Sequence, residues 1–336
     1  MATPSPAGPS KRPRSTPVLS TQSTYYDYIN LPYLVHCTNT DQDSVNFCQH
    51  YGLLPKTINC DKCGNTLTNL SIRYFATESA TYSLNFRCHK KSCNKVISAK
   101  KNTWFESSKV SLQRSLILTY MFISKASYDS AIKETSGPFF NCTFTSRETV
   151  SDIYSYCREV CIESLYTTGP KKKIGGPNCI VEIDEAKFGK RKFNKGRFVE
   201  GQWVLGGICR EDKDCFFEPV PDRSEATLIA VIQENVELGS IIHTDEWRSY
   251  SRLGELGYTH RTVNHSQHFV DPQTGTHTNT IESTWWALKR SLPSTHTRKE
   301  NFAAHLAEFI WRRKNKDAKC LFTKFLEDIQ RVYPGL

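Results

Sequence analysis

CIVEIDEAKFG, residues 179–189, decides how the rest of the chain is read. Ile180, Val181 and Ile183 make a short apolar run with β propensity, entered from the turn Gly175-Gly176-Pro177. The run closes on Asp184, after which Lys and Arg accumulate. A buried strand that brings an Asp to its C-terminal edge is how α/β folds commonly offer an acid to a metal or substrate. An Asp in such a place can equally be a turn former or a helix cap. Two later acids lift Asp184 above that plainer reading.

Downstream, strands and helices alternate. The segment 187–197 is basic, with Lys187, Lys190, Arg191, Lys192, Lys195 and Arg197 interleaved with Phe188 and Phe193. Strands are expected over 202–209 and 215–220, joined by the polar turn at 211–214, then a helix over 224–238 with Leu228, Ile229, Ile232 and Val236 on one side. A fourth strand over 240–243 runs into Asp245. A helix over 246–256, a fifth strand over 260–263, a His- and Gly-rich loop and helices over 280–292 and 299–314 complete the series. Three strands, helix, strand, helix, strand, helix suits a mixed sheet flanked by helices on both faces, which is the order of the ribonuclease H-like fold.

In that order the first and fourth strands are neighbours, so Asp184 and Asp245 are expected at one edge. The third acid is Glu282, in the first turn of the helix within HTNTIESTWWALKR. Asn279-x-x-Glu282 also reads as a capping box. On the helix, Glu282 shares a face with Trp286, Lys289 and Arg290, whereas Ile281, Trp285 and Leu288 turn to the core. A carboxylate beside a line of cations fits an acid that binds metal while its neighbours hold phosphate. Three convergent carboxylates are what two hard cations, Mg²⁺ or Mn²⁺, need to clamp the attacking and leaving oxygens of a phosphodiester. The histidines at 260, 265, 268 and 277 match no tidy ligand spacing, so a second zinc site is disfavoured against loop hydrogen bonding or donation to DNA phosphate.

Upstream, residues 1–24 are rich in Pro, Ser and Thr around KRPR (Lys11 to Arg14), too polar to bury a core, and read as a disordered basic tail that suggests nuclear import or serves merely as a solubilising arm. Residues 25–54 suggest a small helical element. Cys60-x2-Cys63 and Cys88-x4-Cys93 then present four thiolates on two hairpin-like knuckles, the ligand set of a zinc ribbon over 55–105, with His89 as an alternative to Cys93. Helices are expected within 104–134, capped by Ser107 or Ser108, over 128–134, and from a Thr145-x-x-Glu148 capping box onward. This small domain, 106–165, allows a helix-turn-helix with Arg147 near the start of its reading helix, or an ordinary helical packing unit. Residues 166–178 read as a linker, 179–316 as the α/β domain and 317–336 as a C-terminal tail helix.

The 336 residues leave room for several cores, and a net charge of +10 in clusters favours a polyanionic partner, nucleic acid before membrane. No apolar run is long enough to span a bilayer. Thirteen cysteines scattered through a chain of this length argue for a reducing compartment with four taken by metal, not a disulfide scaffold.

VEIDEAKFGKRK, HTDEWRSY, TVNH and GTHTNTIESTWWALKR, in this order, resemble the successive motifs of the Merlin superfamily of DDE transposases and its bacterial insertion-sequence relatives. The resemblance runs over roughly 55–315. It implies a zinc ribbon, a helical DNA-binding part and a ribonuclease H-like catalytic domain whose triad falls on Asp184, Asp245 and Glu282. His277 and Asn279 would be supporting polar residues, as would Trp286. It further implies a DNA transposase acting in the nucleus with two Mg²⁺ ions, as a homo-oligomer on terminal inverted repeats and target DNA. Two rivals stand beside it: a domesticated, catalytically silent DNA-binding protein, and a nuclease that cuts without joining.

Overall fold

The computed structural model describes residues 28–74, 82–140, 144–166, 172–189, 201–264, 270–292 and 299–335. Two short helices come first: α1 (Leu31–Cys37), whose Asn30 side chain accepts from the Tyr33 amide, and α2 (Asp41–His50), closed by a reciprocal Thr40–Asp43 capping box. A hairpin of β1 (Ile58–Asn59) and β2 (Thr66–Leu67) and an antiparallel sheet of β3 (Leu70–Tyr74), β4 (Tyr82–Arg87) and β5 (Val96–Ser98) follow. Next come α3 (Leu112–Ile123), α4 (Tyr128–Glu134) and α5 (Arg147–Tyr166).

Two expected caps move. Ser111, not Ser107 or Ser108, caps α3, accepting from the Arg114 amide. At α5 the hydroxyl of Ser146 accepts from the Thr149 amide, so the box at Thr145 and Glu148 does not form. Thr145 is fully buried instead and donates to the carbonyl of Thr135, tying the end of α4 to the start of α5.

The second half contains β6 (Ile174–Gly175), β7 (Ile180–Phe188), β8 (Gln202–Cys209), β9 (Cys215–Val220), α6 (Glu225–Asn235), β10 (Val236–Glu237), β11 (Ile241–Asp245), β12 (Thr259–Val263), α7 (Asn279–Ser291), α8 (Lys299–Lys314) and α9 (Leu321–Val332). The main sheet has the order β12-β11-β7-β8-β9, with β7, β11 and β12 parallel and β8 antiparallel to its neighbours. This is the expected mixed sheet, with the first and fourth long strands adjacent. Pro219 lies on β9, an edge strand, where a missing N–H leaves no ladder bond unmade. The helix expected over 246–256 is replaced by two 3-10 turns, Arg248–Tyr250 and Leu253–Leu256. Trp247 is extended there, and Ser249, Ser251 and Gly254 contribute little helix propensity, so burial of Tyr250 and Leu253 decides the path.

Strict alternation gives the sheet two apolar faces. Val181, Ile183, Leu205, Cys209 and Phe216 pack with Leu228 and Ile232 of α6, while Ala186, Phe188, Val204, Ile208 and Phe217 pack with Ile281, Trp285 and Leu288 of α7 and Phe302 and Leu306 of α8. A third core joins α1 to α5 and β1 to β5, and it also takes in Trp311 of α8 and Phe322, Phe325, Leu326 and Ile329 of α9. Among the described residues no helix is long and apolar enough to cross a membrane.

Candidate active site and cysteine cluster

Strand period places Glu182, Asp184, Ala186 and Phe188 on the face of β7 that α7 covers. Parallel pairing sets His243 of β11 level with Glu182. The ladder ends there; two residues further along each strand come Asp184 and Asp245, near enough for the charge of Asp245 to act on Asp184. The α7 side of the sheet therefore carries two polar rows, an inner one of Glu182 and His243 and an outer one of Asp184 and Asp245.

The outer row is short of positive charge. Burial pushes the Asp184 carboxyl up to about 7, with the neighbouring charges of Glu185 and Asp245 adding to it. The Glu185 amide (2.8 Å) and the Trp285 indole N–H (3.1 Å) donate to Asp184 and only partly offset this. Glu185, on the opposite face, is also raised, chiefly by burial, and accepts from the Tyr250 hydroxyl at 2.5 Å. Trp285 can reach Asp184 because its ladder partner on β8 is Gly206. A Cβ there would sit 2.6 Å from the indole.

Glu282 lies exposed in the first turn of α7, the helix that covers this row. The expected Asn279–Glu282 box is absent. Thr278 is the N-cap, it makes no capping bond, and its hydroxyl donates to Glu282 Oε1 at 3.1 Å. That shift of one residue puts Glu282 one place past the box position. The helix N-terminus is satisfied from elsewhere: the amides of Thr280 (2.8 Å) and Ile281 (2.9 Å) both donate to Glu182 Oε2. Asp184 and Asp245, near one another on adjacent strands, the first raised by burial and by its acidic neighbours, are a hard-oxygen donor set that fits a divalent cation. Among the described residues, the groups of three or more His, Cys, Asp or Glu with all ligand atoms within 4.8 Å of one another do not include Asp184, Asp245 and Glu282 together.

The cysteines do form such a group. Cys60, Cys63, Cys88 and Cys93 meet that distance, with Cys60–Cys93 and Cys63–Cys88 sulfurs 3.5 and 3.6 Å apart. The fourth sulfur is that of Cys93, and His89 is exposed outside the group. The backbone N–H of Lys62 leads in drawing the Cys60 thiol down to about 7. Four convergent thiols, one already easy to ionise, fit zinc.

Of the basic segment, Lys190, Arg191, Lys192, Lys195 and Arg197 lie outside the described residues. Lys187 is exposed, its ammonium 5.2 Å from the Trp203 ring, and Arg223 is stacked between Trp203 (4.2 Å) and Trp247 (4.6 Å). On α7, Lys289 lies over Phe188 and Arg290 over the exposed Trp286. Arg147 is paired with Asp129 at 2.9 Å and lies over Tyr128. Glu148, Asp152 and Glu159 on the exposed side of α5 would repel phosphate. Asn279 is exposed at the start of α7, and His277 accepts from Arg210. Sequence reasoning missed Glu182, Arg210, Tyr250 and the indole of Trp285. Only Glu182 left a signal, as an acid inside an apolar strand on the same face as Asp184.

Residues 173–314 match the ISXO2-like transposase domain. The chain is 37% identical over 101 residues to an uncharacterized transposase-like protein of Haemophilus influenzae, a match spanning 30% of this chain and 80% of that one. Among solved structures it is similar to the magnesium-bound HTLV-2 integrase catalytic core domain in its dimeric form, 13% identical, over 40% of this chain and 86% of that one, with a TM-score of 0.28. It is also similar to a simian T-cell lymphotropic virus intasome in complex with PP2A regulatory subunit B56 gamma, 11% identical, over 58% and 67%, TM-score 0.28. These structural likenesses are too slight to bear on the chemistry. On sequence the class is that of the transposases. The chain belongs to the insertion-sequence-type DDE transposases that carry the ISXO2-like domain.

Proposed function

We propose that the protein cuts DNA at the ends of a transposable element and joins the freed 3′ ends to target DNA, on a ribonuclease H-like sheet with Asp184, Asp245 and Glu282 as its catalytic acids. The observation that carries this is the approach of Asp184 and Asp245 at the ends of adjacent parallel strands, close enough for the charge of Asp245 to raise the Asp184 carboxyl, beside the helix that bears Glu282 and whose Trp285 donates to Asp184. Two Mg²⁺ or Mn²⁺ ions held there would supply activation of the nucleophile and neutralisation of charge on the phosphodiester. The chain's own residues orient the acids: Trp285 and the Glu185 amide fix Asp184, and Thr278 fixes Glu282. Lys187 near the end of β7 and Lys289 and Arg290 on α7 would hold phosphates without reading bases, with the basic residues at 190–197 continuing the grip.

Zinc on the four cysteines would shape a ribbon, and the ribbon and the helices after it would dock terminal inverted repeats, the protein acting as a homo-oligomer on duplex DNA. Nuclear import through Lys11 to Arg14 belongs to the same proposal, and a fluorescent fusion lacking those four residues tests it. The reaction is tested with labelled terminal-repeat duplex, target plasmid and Mg²⁺. Joined product is expected. Cut product alone would make the protein a nuclease, and a shifted band alone a binding protein.

A further inference from the structure

The inner row has no part in the chemistry proposed above, yet it is densely bonded. Glu182 is fully buried, a costly place for a carboxylate unless every oxygen is met. Arg210 Nε, at the end of β8, donates to Oε1 at 2.5 Å, and the two α7 amides donate to Oε2. The other arm of Arg210 donates to the His277 carbonyl (2.8 Å) and towards Nδ1 of His277 (2.8 Å) and of His243 (3.2 Å). A guanidinium accepts nothing, so where one of these contacts is a hydrogen bond the ring nitrogen is the acceptor. Burial, then the charge of Arg210, holds both histidines below their ordinary pKa, His243 at about 4, in keeping with neutral rings. His243 Nε2 is buried without a hydrogen-bond partner.

The arrangement does something an ordinary cap does not. First-turn amides are usually met by the N-cap side chain, but Thr278 gives its hydroxyl to Glu282. The cap comes instead from a strand residue 98 positions earlier. Two consecutive amides on one oxygen fix both the height of the turn and its rotation about the helix axis. Glu282 directly follows the second of them. Asp184 is the next residue on the same face of the strand as Glu182, about 6.6 Å along at two residues' rise.

We propose that Glu182, backed by Arg210, is a positioning residue that sets the helical turn of Glu282 against Asp184 and Asp245; the proposal rests on the acid-site reading above.

The test uses the full zinc-loaded chain, with Mn²⁺ alone as probe and its free concentration read by electron paramagnetic resonance. Hydrogen exchange at the Thr280 and Ile281 amides reports the cap itself. The double variant E182Q/R210Q removes both charges, so neither is left orphaned. It is expected to fold, to exchange faster at the two amides, and to bind Mn²⁺ about tenfold more weakly, the usual size of an effect on groups that orient metal ligands. A folded double variant that binds Mn²⁺ as wild type does, even with a lower melting temperature, overturns the proposal, because a merely structural ion pair predicts that outcome. E282Q is the control on the underlying reading: if it binds Mn²⁺ as wild type does, the acid site fails and the positioning role goes with it. Should the double variant not fold, E182D decides. Its side chain keeps a charge beside Arg210 but is too short to reach both amides, so several-fold weaker Mn²⁺ binding supports the proposal and unchanged binding overturns it.

Discussion

The cysteine cluster and the acid site are built to opposite rules. The four sulfurs already lie within 4.8 Å of one another, between the β1–β2 hairpin and the sheet of β3 to β5, whose Leu84 and Phe86 are buried. The acids stand apart, two on strands and one on an exposed helical turn, and Asp184 is buried beside other acids. A closed site contributes its binding energy to folding, whereas an open one retains unfavourable electrostatics that a cation and a phosphate can relieve. The contrast teaches how one chain can carry a donor set whose metal would serve stability and another whose metal would serve chemistry.

The sharpest way to break the comparison is Cys63→Ser. On the order of 10 kcal/mol of zinc binding is also folding free energy in small zinc domains, so the variant should lose its zinc and melt the core that contains β4 while the main sheet keeps its own transition. Metal analysis and a thermal scan check this, and one retained zinc per chain would refute the closed site.

Asp184→Asn should do the reverse. Asp184 is raised in the folded protein from 3.8 to about 7, so between those values the folded state binds more protons than the unfolded one. Metal-free wild type should therefore lose stability as pH rises from about 4 to about 7, by about 4 kcal/mol at most. The Asn variant should lack that slope, melt no lower than wild type in chelator, gain little from Mg²⁺ or Mn²⁺, and be inactive. A variant that melts lower in chelator, beside a wild type indifferent to metal, would make Asp184 an ordinary structural residue.

A smaller effect tests how the open site is held. Gly206→Ala forces the Trp285 indole off the strand and should cost about 1–3 kcal/mol, as overpacking does. It should also weaken Mn²⁺ binding by removing the N–H that holds Asp184, whereas unchanged Mn²⁺ binding would confine Trp285 to packing. The smallest effect is on DNA. Replacing Lys289 and Arg290 with Ala should flatten the salt dependence of duplex binding by about 0.9 in slope per lost phosphate contact, and an unchanged slope would remove α7 from the DNA surface.

The sheet was legible because its strands carry long β-rich apolar runs and its order is dictated by element succession. The α4 and α8 bounds, and the buried stripe of Ile281, Trp285 and Leu288, were likewise plain from period. What could not be read was long-range satisfaction. The Asn279–Glu282 box is locally sound, but a carboxylate from β7 takes the amides first. Thr145 has the right spacing to cap, yet burial between α4 and α5 gives it other partners. Arg210 sits in a polar turn with nothing in its neighbourhood to announce an ion pair with residue 182. Sequence patterns report the chain's local preferences, and these groups are decided by partners far along it.

The helix α9 has a consequence for how the protein comes into being. Phe322, Phe325, Leu326 and Ile329 fill the core built by residues 29–161, so on the ribosome that core stays unfilled until the segments bearing all three acids have been made. A message cut short before residue 321 would release a first half with an open apolar wound, exposed to chaperones and proteases. That first half thus cannot be inherited alone by simple truncation. A genome that kept it for another use would have to keep α9 as well, and with it the intervening sheet or a substitute bridge.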